Sequence, residues 1–324
     1  MLTTAGKPYR DRTEVTKSAG IHHITAIGGE PKRQVAFYTR TLGLRFVKRT
    51  VNFDDPGTWH LYYGDEVGSP GTALTFFIWK DLPKGQHGAG EAQEIALAIP
   101  ENSLDYWIKR LDALGIAHGA PVQRFGENAV ALEDPDGLKL ELVTDKAAQA
   151  IPGWSNGEVP AEHAIRGFHG ITLEVRDPAP TGRVLEQVFG FKPSGVEHNR
   201  HRYLADSGPL GRVIDLRITP GSPRSQQGLG INHHVAFRAA NDAEEMEMRR
   251  RALALGLSAT EQVQRNYFRS VYFREPGGIL FELATDDPGF TLDEPKEKLG
   301  QKVMLPPWYE AHRAKIEAAL PPLE

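Results

Sequence analysis

The chain has 324 residues, 40% hydrophobic and 25% charged, with a net charge of −4, the profile of a soluble globular protein of one or two domains. That balance excludes a basic surface for nucleic acid or anionic lipid, and no apolar run approaches the roughly 20 residues of a membrane span. Cysteine is absent, which excludes disulfides, thiolate nucleophiles, zinc–thiolate sites and iron–sulfur clusters, so any metal must rest on Asp, Glu or the 12 histidines. The polar N-terminus lacks the apolar core of a signal peptide, and a cytoplasmic location is expected.

An N-terminal arm, 1–19, precedes a unit that recurs four times. Each copy opens with a short apolar strand, continues into an amphipathic helix that ends in Leu-Gly or Phe-Gly, and closes with several strands. The post-helix glycines, Gly43, Gly115, Gly190 and Gly256, lie 72, 75 and 66 residues apart, a period that marks duplication. Glycine there suits the left-handed residue that ends a helix.

Module one is 20–80. Its helix places Val35, Tyr38 and Leu42 on one face, and strands follow at 45–52, 59–63 and 73–79. Module two is 91–146. Ser103 is expected to cap a helix whose stripe is Leu104, Trp107, Ile108, Leu111 and Leu114, and its closing strand follows the turn Asp134-Pro135-Asp136-Gly137. An irregular linker, 147–165, leads to module three, 166–220. Module four, 229–286, carries an expected capping box of Asp242 with Glu245. Its turn Glu275-Pro276-Gly277-Gly278 mirrors that of module two. A tail, 287–324, should hold a final helix near 307–320, packed through Trp308 and Tyr309. The architecture is thus α+β: four βαβββ modules that pair into two cup-like barrels.

The chemistry concentrates in modules one and four. Their first strands carry His22-His23 and His233-His234, and the last strand of module four carries Glu282. Such residues are costly to bury, and a metal ion would account for all of them. On a regular strand, neighbouring side chains face opposite sides, so each pair should offer one histidine to the site. Spacing alone does not say which one. Alignment of the modules puts His23 on His234 and His22 on His233; module two has Glu94 there and module three Gly170. The closing-strand carboxylate is read in modules two (Glu141) and four (Glu282), and the matching place in module one near Phe76 and Phe77. Only a pairing of modules one and four then gives two histidines and a carboxylate, the ligand set of a non-haem Fe(II) oxygenase with about three open positions. Modules two and three form a metal-free cup. Arg265, Tyr272 and Thr25 are candidates to border the pocket.

These residues resemble the vicinal oxygen chelate superfamily, and within it the hydroquinone ring-cleaving dioxygenases such as 2,6-dichlorohydroquinone 1,2-dioxygenase. The stretches that carry the likeness include Ile21-His22-His23-Ile24-Thr25, His60-Leu61-Tyr62, His233-His234, and Pro276-Gly277-Gly278 through Glu282. The resemblance implies His23, His234 and Glu282 as metal ligands, with Fe(II) or alternatively Mn(II) as the ion. It implies Tyr272, Arg265, His233, His22 and Thr25 around a small aromatic substrate and O2, and it carries the expectation of a homo-oligomer. Rival readings are a catechol-type extradiol dioxygenase, a glyoxalase-like lyase or isomerase, and a protein that sequesters an aromatic compound.

Overall fold

A computed structural model describes residues 20–206 and 208–323; the expected arm, 1–19, lies outside the described residues. Module one comprises β1 (Ile21–Gly28), α1 (Pro31–Ala36), β2 (Arg45–Asn52), β3 (Asp55–Gly64) and β4 (Ala73–Ile78). Module two comprises β5 (Glu91–Ile99), α2 (Leu104–Ala113), β6 (Val122–Arg124), β7 (Glu127–Glu133) and β8 (Lys139–Thr144). Module three holds β9 (Gly167–Val175), α3 (Pro178–Gln187), β10 (Lys192–Glu197), β11 (Arg200–Leu204) and β12 (Val213–Ile218). Module four holds β13 (Asn232–Ala239), α4 (Asp242–Ala254), β14 (Val263–Gln264), β15 (Arg269–Arg274) and β16 (Leu280–Thr285). All four marker glycines are left-handed, with φ between 66° and 78°, so each ends its helix where an L side chain would be strained.

Two eight-stranded sheets result. One runs β14-β15-β16-β13-β1-β4-β3-β2 and joins modules four and one; the other runs β10-β11-β12-β9-β5-β8-β7-β6 and joins modules three and two. In each the first strands of two modules pair antiparallel at the centre, β1 with β13 and β5 with β9. Helix faces led by Tyr38, Trp107, Leu185 and Met248 complete one continuous apolar core with the sheets.

The mirrored turns tie the two cups together. Asp134 accepts backbone N–H bonds within its own turn and the Tyr38 hydroxyl of module one, and Glu275 likewise accepts its own turn's N–H and the Thr181 hydroxyl of module three. The tail supplies α5 (Arg313–Ala319) and fastens to module one through Trp59 Nε1, which donates to Pro321 O at 2.7 Å. Tyr309 packs as expected, whereas Trp308 meets Phe53 edge-on and the ring of Tyr309 and is 46% exposed.

Three local expectations need correction. Ser103 sits at the N-cap position of α2, but its hydroxyl accepts no N–H from the helix and lies instead 3.0 Å from His163 Nδ1. The cap of α4 lies one residue earlier: Asn241 accepts from Glu244 N, and Glu244 accepts from Ala240 N, while Glu245 turns inward and is fully buried. Leu114 ends the expected stripe half exposed. No helix among the described residues is long and apolar enough to cross a membrane.

Candidate metal centre

The site forms on the seam between the first and last modules. Ile24 pairs with Val235 across β1 and β13, which sets His23 beside His234, and the parallel pairing of β13 with β16 lays Ala236 beside Glu282. His23 Nε2 and His234 Nε2 come within 3.3 Å of each other, and Glu282 Oε2 lies 3.4 Å and 2.8 Å from them. All three side chains are buried. Among the described residues these three form a cluster able to hold a metal.

Glu282 divides its work between two oxygens. Oε1 accepts from Ser270 Oγ at 2.5 Å and from Tyr272 Oη at 3.1 Å, while Oε2 accepts no hydrogen bond although it is buried. An orphaned carboxylate oxygen aimed between two imidazole nitrogens is the donor set that a divalent cation requires. Burial pushes the Glu282 carboxyl up, but the two imidazoles beside it pull it down further, and it ends well below the usual carboxylate range. Burial outweighs the Glu282 charge at His234 and keeps that imidazole neutral, the state that ligates.

The strands do not alternate simply here. The β1–β13 register skips His22 and His233, so each sits at a bulge. A bulge turns a residue that should face away back toward its neighbour. His22 Nδ1 thus lies 2.9 Å from His23 Nδ1, and His233 Nδ1 2.8 Å from His234 Nδ1. Each candidate ligand therefore has its far nitrogen engaged by the preceding histidine, the kind of contact that fixes ring orientation in metal sites. Burial, with the adjacent histidine, lowers both His22 and His233 to about 3.

A cavity of about 440 Å³ opens above the triad, walled by Phe53, Phe77, Trp79 and Phe268. His233, Arg265 and Tyr272 line it; Thr25 and His22 do not. Thr25 is fully buried, with its hydroxyl 2.8 Å from that of Thr75. Arg265 to Phe268 form the hairpin turn between β14 and β15 rather than strand. Arg265 Nε donates to Tyr272 Oη at 3.0 Å, and its other end reaches Asp54 of module one at 2.9 Å across the mouth. Burial favours a neutral guanidine, but Tyr272 and Asp54 outweigh it, so Arg265 stays charged. Burial and the Glu282 charge keep Tyr272 protonated far into the alkaline range.

Register also corrects the comparison of modules. In module four Glu282 lies two residues along β16 from the place opposite His234, and in module one the matching residue is Thr75 on β4, not Phe76 or Phe77. Module three holds a third carboxylate at this position, Asp215, which the sequence reading missed. The second cup consequently has Glu94, Glu141 and Asp215 at the ligand-equivalent places, and arginines neutralise them: Arg200 and Arg217 on Glu94, Arg124 on Glu141, Arg202 on Asp215. Gly170 fills the remaining place, where a Cβ would fall 2.2 Å from Val213 O. Ser270, Asn52, His60 and Tyr62 complete the set of site residues that the sequence did not mark clearly.

The sequence profile of the Glyoxalase/Bleomycin resistance protein/Dioxygenase superfamily matches residues 20–142 and 167–283. MhqO of Bacillus subtilis, provisionally assigned as a ring-cleaving dioxygenase, is 45% identical over 95% of this chain and 97% of its own length. The chlorohydroquinone/hydroquinone 1,2-dioxygenase of Sphingobium indicum is 32% identical over 92% of this chain and 94% of its own. A solved Bacillus subtilis structure, provisionally a dioxygenase, superposes with a TM-score of 0.90 at 44% identity, covering 95% and 98% of the two chains. Maize glyoxalase I, at 16% identity and a TM-score of 0.62, shares the fold alone. With four βαβββ modules, a His-His-Glu cluster on the outer pair and relatives matched over nearly their whole length, the chain belongs to the Glyoxalase/Bleomycin resistance protein/Dioxygenase superfamily, the vicinal oxygen chelate fold.

Proposed function

We propose that this protein is an Fe(II)-dependent dioxygenase that opens the ring of a hydroquinone with O2, cleaving between a hydroxylated carbon and its neighbour. The carrying observation is the orphaned Glu282 Oε2, directed between His23 Nε2 and His234 Nε2 at the floor of an aromatic-walled cavity. Those three atoms would hold the ion, with Mn(II) as the alternative metal. When bound, the ion lowers the pKa of a coordinated phenol and leaves positions for O2. The chain's own groups do the rest. Tyr272 Oη donates to Glu282 and accepts from Arg265, which fixes its proton and orients the carboxylate. Arg265 keeps a positive charge beside the cavity for developing negative charge on oxygen. His233 is half-buried and lines the cavity, neutral and with its Nδ1 turned to His234, so it holds that candidate ligand in place. The aromatic walls exclude water and hold a flat ring.

Thr75 at the place that matches Glu282 weakens the lyase or isomerase reading, which needs a second carboxylate as base. Sequestration would need no buried carboxylate with an unused oxygen. The names of the relatives at 45% and 32% identity favour ring cleavage.

Anaerobic loading with Fe(II), followed by O2 uptake with hydroquinone and separately with catechol, tests the reading. Uptake with hydroquinone and a new ring-opened absorbance is expected. Uptake with catechol alone would move the protein to the extradiol branch; a bound metal without uptake of O2 would sink the dioxygenase reading.

A further inference from the structure

A hydroquinone carries two hydroxyls at opposite ends of its ring, and the metal with Tyr272 and Arg265 can serve only one of them. The fold supplies a second hydroxyl-bearing wall. Across the seam from β15, with β16, β13, β1 and β4 between them, lies β3. Tyr62 on β3 pairs with Thr75 as Tyr272 on β15 pairs with Glu282, so the two tyrosines hold equivalent places in modules one and four. His60 likewise matches Ser270. Both His60 and Tyr62 line the cavity.

The two halves differ in what the tyrosine holds. Tyr272 Oη is tied to Glu282 and Arg265 at the metal end. Tyr62 Oη instead lies 2.9 Å from His60 Nδ1, His60 Nε2 lies 2.9 Å from Thr75 Oγ1, and Thr75 Oγ1 lies 2.8 Å from Thr25 Oγ1. A neutral imidazole has one N–H and one lone pair. In one arrangement Tyr62 donates to Nδ1, His60 Nε2–H donates to Thr75, and the Tyr62 oxygen offers lone pairs to the cavity. In the other, Thr75 donates to Nε2, His60 Nδ1–H donates to Tyr62, and the Tyr62 O–H is free to donate into the cavity. The two arrangements hold the same protons and the same charge, and differ in the His60 tautomer and in how the hydroxyls are turned. Phe290, 4.9 Å away, and Tyr267 pack against the Tyr62 ring and fix its direction.

We propose that Tyr62, oriented by His60, Thr75 and Thr25, is the cavity's recognition group for the substrate hydroxyl that stays off the metal, and so the determinant that selects a para-hydroquinone. This rests on the ring-cleavage reading above. Tyr62 accepts the second hydroxyl's hydrogen bond in the first arrangement, and donates to the same oxygen in the second.

The test is anaerobic calorimetric titration of the Fe(II)-loaded protein with hydroquinone, 4-methoxyphenol and phenol. The wild type is expected to bind hydroquinone about tenfold or more tighter than phenol, the value of one good hydrogen bond. Tyr62→Phe should bring that ratio to about 1 and leave the phenol Kd and the iron content unchanged. Because Tyr62 is fully buried and the change removes one oxygen, the ring packing is kept; should the variant lose iron, His60→Gln carries the test, with a ratio expected to fall at least about threefold. A wild-type ratio in both variants, or a wild type that does not prefer hydroquinone to phenol, overturns the assignment. A wild type that consumes O2 with hydroquinone while Tyr62→Phe keeps its ratio fails this inference alone. A wild type that neither binds nor oxidises hydroquinone fails the ring-cleavage reading and takes this one with it.

Discussion

Glu282 answers to four groups with two oxygens, and the division predicts how each neighbour's loss will be felt. Ser270 and Tyr272 hold Oε1. Ser270→Ala should therefore leave the fold intact yet weaken metal affinity about 10- to 100-fold, as loss of an orienting contact does. His23→Ala and His234→Ala should retain no stoichiometric metal after dialysis, while His22→Ala keeps its metal and loses rate; elemental analysis beside activity reads all four variants, and a Ser270→Ala protein with wild-type affinity would sink the orienting role. The histidine pairs and Glu282 could be read from the sequence because buried ionisable residues on strands need a reason. Ser270 and Asp215 could not, and His60 and Tyr62 entered only within a stretch that carries the family likeness, with no place in the site. Serine, tyrosine and histidine on a strand are unremarkable, and which residue lies opposite depends on register. Bulges at His22 and His233 shift that register by one, and β4 is buried on both faces, so no alternation marks Thr75.

Among the elements, α4 shows both the reach of pattern reading and its edge. The spacing of acids near its start was correct in kind but fell one residue late, because Asp242 with Glu245 and Asn241 with Glu244 are the same pattern displaced by one. The displacement has a consequence for stability. Glu245 is 0% exposed, its Oε1 has no partner, and burial raises its pKa from 4.5 to about 7. The folded state therefore holds this proton more tightly than the unfolded chain. Its stabilising share is complete below about pH 4.5 and is lost as pH rises through about 7. Glu245→Gln should match the wild type near pH 4.5 and exceed it at pH 8 by on the order of 2 kcal/mol in urea unfolding of the metal-free protein. Equal stability at pH 8 would show that the carboxylate finds compensation in the folded state.

At the scale of the molecule, the two cups are one design used twice and finished differently. The outer modules leave a carboxylate oxygen unused at the floor of a cavity; the inner ones close the three carboxylates at the ligand-equivalent places with arginine. Arg202 bridges Asp215 and Glu127, and Asp215 is 5% exposed. Arg202→Met should leave buried Asp215 with only Arg200, 3.9 Å away, and lower stability by up to about 3–5 kcal/mol, with metal affinity unchanged because the other cup carries the triad; loss of metal in this variant would couple the cups in a way the separate sheets do not provide. The seam itself constrains how the chain comes into being. His23 and His234 are 211 residues apart, and β1 must pair with β13. At roughly 5–20 residues per second, β1 leaves the ribosome roughly 10–40 s before the strand that covers its edge, while the two inner modules, adjacent in sequence, can close their cup in between. The cup with the candidate metal cluster is thus the last to be completed, and a nascent chain cut short before module four carries one histidine pair, an open edge and no Glu282.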